Sequence, residues 1–405
     1  MHGKSMSQAL SQNENNVPID WRRANAAQIA IGLQCVRSRL LHVFDAYVAC
    51  GRMDVPEVDE LNPPLWELGH IAWFQEYWIG RNQQRDLGTC CDAIHDRLPS
   101  VLLQADRWYN SSLVPHAARW HLPLPNLQAT KDYLDQTLHQ TLSLLAQADE
   151  NDRALYFYRL VLFHEAMHVE AAIYMAQALD VNIASNFIAP QEINTPHTGQ
   201  IYHENQSFDL GYRNANTDQG TESGFAFDNE LQAYTVEVMA FEIDSRCVNW
   251  GEYLNFVEAT ARSLPRYVRR SLQSNGRGYE GQHFGVWQAL NLQAPTVHVN
   301  LADAQAYCDW VGRRLPTEVE WELAASKSGD FVWGDVWEWT NSPFVPYPGF
   351  VAHPYVDYSA PWFGSRQVLR GASVATPPMM KHVKYRNFFT PERSDIYAGF
   401  RTGAR

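Results

Sequence analysis

FHEAMHVEAAIYMAQAL, residues 163–179, is the C-terminal part of a helical stretch predicted from about 152 to 179. Phe157, Val161, His164, His168, Ala171 and Met175 recur at alternating intervals of four and three, so they share one helical face. Two histidines on an apolar stripe are unusual. His164 and His168 are one turn apart, close enough for their imidazoles to hold one metal ion. Two buried imidazoles without a metal would need two separate polar partners.

Three more amphipathic helices precede this one. Beyond Asp20, a predicted N-cap, Ile29, Leu33, Val36, Leu40, Val43 and Tyr47 form a single stripe. The second helix follows Asn62-Pro63-Pro64 and carries Trp66, His70, Trp73 and Tyr77. The third, at about 127–147, presents Leu134, Leu138, Leu142 and Leu145. Four helices with one long crossover, residues 83–125, predict a four-helix bundle that could bring His70, read alone as a hydrogen-bonded core histidine, alongside His164 and His168 as a three-nitrogen site. Such a site accepts zinc or ferrous iron, and the donor atoms alone do not choose between them.

His164-Glu165-Ala166-Met167-His168 also fits the H-E-x-x-H pattern of zinc peptidases, with Glu165 as general base. No glycine and third histidine follow it in the metzincin manner, and Glu170 lies about 200° around the helix from His168. A peptidase is therefore the remote alternative.

Near residue 181 the texture changes to short apolar pieces, Gly, Pro, Asn and dense aromatics, the pattern of an α+β domain with many loops. The reading divides the chain into a polar tail (1–20), a helical bundle (21–185) and an α+β domain (186–405). The chain has 405 residues and a formal charge of −13, which disfavours nucleic acid and anionic membrane surfaces as partners. No stretch is long and apolar enough for a membrane helix, since even LYFYRLVLF (155–163) contains Arg159. The N-terminus carries no secretory pattern and the six cysteines show no CxxC spacing, so a cytoplasmic protein with reduced thiols is expected. The chain has fifty-one aromatic residues, and the dense run from Trp333 to Phe363, with Phe388 and Phe389, suits the lining of a pocket.

The segments APTVHVNLADAQAYCDWVGRRLPTEVEWELAA (294–325), WGDVWEWTNSP (333–343), VLRGASVAT (368–376) and AGFR (398–401) resemble the formylglycine-generating-enzyme fold, a C-type-lectin-like α+β domain. The stretch 373–385, SVATPPMMKHVKY, lacks the cysteine pair of the sulfatase-activating members. Joined to a DinB-like bundle with GHxxWF and HxxxHxE motifs, this domain is similar to the ergothioneine-type nonheme iron sulfoxide synthases, over nearly the whole chain from residue 21.

That resemblance implies Fe(II) on His70, His164 and His168, with hercynine, O2 and a sulfur or selenium donor as substrates. It implies that Tyr347, in PFVPYPGF, is the catalytic proton or hydrogen donor, and that Asn387 and Phe388 bind hercynine, with Phe350, Phe389, Arg393 and Met167 also on the substrate side. A trimethylammonium group favours aromatic neighbours through the ring quadrupole.

The sequence departs from the family on the donor side. Members that use γ-glutamylcysteine carry an arginine in the crossover and an aspartate after the hercynine-binding pair. Here HLPLPNLQAT (121–130) has no arginine, Phe389 takes the aspartate position, Arg393 alone remains of the clamp, and Met167 replaces a glutamine. An amino-acid-like donor would lose both charge partners. LNPPLWELGHIAWFQEYWIGRN (61–82), YNSSLVPHAARWHLPLPN (109–126) and residues 163–179 resemble instead the selenoneine-forming branch, which joins a selenosugar to hercynine. The polar loop from Tyr109 to Arg119 is the candidate surface for that sugar. The expected activity is oxidative C–Se bond formation at hercynine C2, with C–S bond formation from cysteine or γ-glutamylcysteine as the alternative.

Overall fold

The computed structural model describes residues 19–183, 199–213, 224–271 and 278–405. The predicted domain boundary at 185/186 lies outside them, as does the predicted tail apart from Ile19 and Asp20. The described chain divides into two compact units. One holds the residues up to Asp45, then Met53–Val169, with Phe225; the other holds Ala46–Arg52, Glu170 onward and the chain from Ala226 to Arg405.

The first unit is built on α1 (Ala26–Ala49), α2 (Pro64–Gln75), the short α3 (Ala105–Tyr109), α4 (Leu127–Leu145) and α5 (Asp152–Ala178). The long helices fall where the periodicity places them. Leu33, Val36, Leu40 and Val43 of α1 are buried, each worth roughly 1.5–3 kcal/mol of transfer free energy. Two local details differ from the prediction. Asp20 caps a 3-10 turn at Trp21–Arg23, while α1 starts behind Asn25, whose side chain accepts from the Gln28 backbone N–H. The buried face of α4 is Thr130, Tyr133, Leu134, Thr137, Thr141 and Leu145, leaving Leu138 and Leu142 only half buried. That face bears threonines because their hydroxyls satisfy themselves on the helix: Thr137 Oγ1 donates to the Leu134 carbonyl at 3.0 Å.

The 83–125 crossover is pinned at two points. Glu76, in a π turn that continues α2, accepts from Ser100 Oγ at 2.6 Å, the Val101 N–H at 2.8 Å and the Tyr133 hydroxyl at 2.6 Å. Asp106 accepts from Arg81 through two bonds of 2.7 and 2.8 Å and from Trp73 Nε1 at 2.7 Å. These bonds tie the connection to the helix that carries His70.

In the second unit β1 (Gln200–His203) pairs antiparallel with β4 (Phe241–Asp244), and β2 (Gln206–Leu210) with β3 (Tyr234–Val238). Strands β5 (Val268–Arg270), β6 (Tyr279–His283) and β7 (Val286–Ala289) form an antiparallel meander. The four-stranded sheet has the order β10 (Asn387–Phe389), β9 (Gln367–Gly371), β8 (Trp337–Pro343), β11 (Ala398–Gly399), with only the β8–β11 pair parallel. Helices α6 (Trp250–Thr260), α7 (Leu301–Trp310) and α8 (Glu318–Lys327) begin at Asn249, Asn300 and Thr317, each accepting a bond from the third backbone N–H of its helix. One core cluster joins Phe208, Leu210, Ile243, Trp321, Leu323, Phe331 and Tyr347. No described helix is long and apolar enough to cross a membrane. All six cysteines are free thiols.

Candidate metal centre and aromatic site

His70 on α2 and His164 and His168 on α5 come together in the first unit, with one ligand nitrogen from each within 4.8 Å of the others. His164 Nε2 and His168 Nε2 are 3.2 Å apart. The outer edges of two rings are anchored. His70 Nδ1 donates to the Tyr109 carbonyl at 2.7 Å, and His168 Nδ1 donates to Glu67 Oε2 at 2.5 Å. With Nδ1 as donor, Nε2 of each carries the lone pair and faces the cluster. His164 lies flat against Phe74, with centroids 3.5 Å apart, and His70 stacks on Trp66 at 4.8 Å.

Gly69 explains how the crossover reaches His70. A glycine inside a helix costs roughly 1 kcal/mol relative to alanine. Here a Cβ would stand 2.1 Å from Tyr109 Cζ, so only glycine lets the Tyr109 ring pack on α2 and bring its carbonyl to the imidazole.

The electrostatics favour neutral imidazoles. Burial, reinforced by the neighbouring His168, pushes His70 down to about 3 and holds His164 well below the usual histidine range. Burial works to raise Glu67, but attraction to His168 and their hydrogen bond outweigh it, and the carboxyl titrates below its ordinary value. Three imidazole nitrogens converging on one point fit a divalent borderline metal such as iron or zinc. Sequence reasoning missed Glu67 and Tyr109. Glu67 is three residues before His70 on the same helix, a spacing that could have revealed it; a backbone carbonyl leaves no such trace.

Glu165 cannot serve as a peptidase base. It is buried and held by Arg37 through bonds of 2.6 and 3.1 Å, while the same guanidinium donates to the Leu134 carbonyl and to Gln75 Oε1. Glu170 is likewise committed, accepting from Trp337 Nε1 and the hydroxyls of Ser373 and Thr376 within the second unit. Met167, between the two histidines of α5, is half buried. In the Tyr109–Arg119 loop, Tyr109 is buried, His116 Nε2 bonds the Leu61 carbonyl at 2.8 Å, and Arg119 donates to Asn62 Oδ1 at 2.7 Å with its guanidinium 3.8 Å over Trp66.

The second unit gathers part of the predicted aromatic wall. Phe388, on the edge strand β10, stacks on Phe344 at 4.1 Å and meets Tyr358 edge-on at 5.9 Å. Phe363 lies 4.8 Å from Phe344 and 5.1 Å from Phe350. Trp333 is not in this group; it packs on Trp321. Half-buried Asn387 accepts from the Phe388 N–H at 2.9 Å. Arg393 is ion-paired with Asp395 through two bonds of 2.5 and 2.6 Å, with the Phe389 ring 5.2 Å from its guanidinium.

Tyr347 is buried rather than open to a pocket. Its hydroxyl donates to Glu318 Oε2 at 3.2 Å, and the Arg386 guanidinium lies 3.9 Å over its ring while bonding both Glu318 oxygens at 2.9 and 3.0 Å. Burial raises the phenol well above its ordinary range, with Arg386 working against that shift.

Known proteins match in the same two parts. Residues 199–405 match the sulfatase-modifying factor enzyme 1-like domain in two overlapping segments, 199–335 and 330–405, and residues 33–175 match the DinB superfamily. Hercynine oxygenase from Mycobacterium tuberculosis is 29% identical, over 92% of this chain and 98% of that protein. Hercynine oxygenase from Mycolicibacterium smegmatis is 28% identical, over 84% and 90%. Ergothioneine biosynthesis protein 1 from Schizosaccharomyces pombe is 22% identical, over 81% of this chain and 50% of that protein. With more than half of its length in that domain, the chain belongs to the family of sulfatase-modifying factor enzyme 1-like proteins, with a DinB-like helical domain ahead of it.

Proposed function

We propose that this chain is a nonheme iron oxidoreductase that uses O2 to join a chalcogen to C2 of hercynine, in the manner of the ergothioneine-type sulfoxide synthases. The three-histidine cluster carries this reading, within a chain aligned nearly end to end with a hercynine oxygenase. His70, His164 and His168 would hold Fe(II), which when bound supplies oxygen activation. For a thiol donor the reaction balances as hercynine plus thiol plus O2 giving the sulfoxide and water.

The protein's own residues bind, orient and manage protons. Phe350, Phe363 and Phe388, backed by buried Phe344, offer rings to the trimethylammonium group, each such contact worth roughly 0.5–2 kcal/mol. Asn387, at the head of β10, offers an amide to the remaining polar groups of hercynine. Tyr347 holds a proton shared with Glu318, whose charge Arg386 balances. Positioning supplies much of the rate.

The name of one relative, an ergothioneine biosynthesis protein, supports a sulfur donor. One observation favours a selenosugar and so a selenoneine synthase: the residue that would clamp a donor carboxylate, Arg393, is already neutralised by Asp395, and Phe389 supplies no carboxylate for a donor amine. A neutral sugar asks for neither charge. Incubating the Fe(II)-loaded protein with hercynine, O2 and each donor in turn, followed by mass spectrometry, tests both levels. No hercynine adduct with any donor overturns the proposal. An adduct with γ-glutamylcysteine and none with the selenosugar overturns the selenium reading alone.

A further inference from the structure

We infer that Glu67 sets the metal affinity of the histidine cluster through its hydrogen bond to one of the three donors, His168. The inference rests on the metal-site reading above and goes beyond the ligands themselves. The two anchored imidazoles have chemically different partners. His70 donates to a neutral backbone carbonyl, whereas His168 donates to a carboxylate at 2.5 Å. A charge-assisted bond of this length moves electron density through the ring to Nε2, so His168 is the stronger donor.

The carboxylate is built in. Glu67 is almost fully buried, among Trp66, Leu68 and Ile71 of an apolar helix, where an unbalanced charge costs several kcal/mol. A divalent cation held by the three imidazoles would offset that cost. Without the cation, the site holds a buried carboxylate among three imidazoles. Arg119 is the opposing charge. Its guanidinium sits 3.8 Å over the Trp66 ring, on the same turn of α2 as Glu67. Glu67 thus draws the cation in, and Arg119, carried by the crossover, limits how tightly it is held.

The test measures metal affinity rather than turnover. Co(II) is titrated into the metal-free full chain against a chelator of known affinity, with its visible absorption as a second readout. Glu67→Gln keeps the length and a hydrogen-bond acceptor and removes only the charge, so a residue that merely orients His168 would be rescued by it. The expected result is about a 10- to 100-fold weaker Co(II) affinity for Glu67→Gln. Arg119→Met, at a half-buried position, is expected to bind Co(II) several-fold more tightly, and provides the reading if Glu67→Gln does not fold. Wild-type affinity in Glu67→Gln overturns the inference while leaving the metal site intact. If Glu67→Gln does not fold, unchanged or weaker binding by Arg119→Met overturns it. A wild-type chain that binds no Co(II) overturns the metal site itself, and this inference with it.

Discussion

The histidine cluster and the Tyr347–Glu318–Arg386 group are both buried polar constellations in this chain, and they are completed differently. In the first, each anchored imidazole spends its outer nitrogen on the protein and turns the other toward its neighbours, so three nitrogens converge where a cation could be held. In the second, the charges close on themselves: Arg386 meets both oxygens of Glu318, the Asn229 carbonyl and the Val345 carbonyl, and Arg370 joins Glu322 nearby. The first group leaves donor nitrogens turned inward, while in the second the Glu318 carboxylate is already committed to Arg386 and Tyr347. Substitutions should therefore act on different observables in the two units.

The largest effect is expected from His164→Ala. Removing one of three ligands should abolish Co(II) and Fe(II) binding in a chelator competition and with it any oxygen consumption, while the metal-free protein melts close to the wild type. Retained metal affinity would mean the cluster is a packing arrangement of histidines and would erase the contrast with the second unit.

Arg386→Met tests the other side. It leaves Glu318 buried without its partner, so unfolding free energy should fall by about 3–5 kcal/mol in urea denaturation, with Co(II) affinity unchanged. A loss below about 1 kcal/mol would show that Glu318 finds other partners and that the network is not what fixes the loops.

How far each unit could be read beforehand follows from the same difference. A helix writes its neighbours into the sequence at intervals of three and four, so His164 and His168 announced themselves, whereas His70, alone on the stripe of another helix, read as a core histidine until the family resemblance pointed to it. The threonine face of α4 escaped because hydroxyls that bond their own helix look polar in a hydrophobicity pattern. In the second unit the partners are far apart in sequence: Glu318 meets Tyr347 and Arg386 at separations of 29 and 68 residues, across loops with no period. The family resemblance could point to Tyr347 and Arg393, but not to the carboxylates that occupy them. Only the placement of Glu318 and Asp395 showed that both residues already have partners.

The smallest predicted effect distinguishes the second unit by pH. His298 is buried between Tyr267 and Tyr397, with ring centroids 4.7 and 4.8 Å away, and burial pushes its imidazole down to about 4 despite the nearby Asp395. Its folded value lies below the unfolded one. The stability it contributes as a neutral ring is therefore fully present above about pH 6.5 and is lost as pH falls toward 4. At pH 5 the loss should be about 2 kcal/mol relative to pH 7. Buried Asp228, raised by burial to about 6, acts in the opposite sense, gaining stability as pH falls through 6. The two effects separate in a variant. His298→Asn tolerates the left-handed backbone at this position, φ +61°, and cannot titrate. Urea denaturation at pH 7 and pH 5 should show the wild type losing about 2 kcal/mol more than His298→Asn, because the Asp228 contribution is common to both and cancels. Equal losses would mean that His298 gains its proton without penalty in the folded chain, and that its aromatic enclosure is open to water.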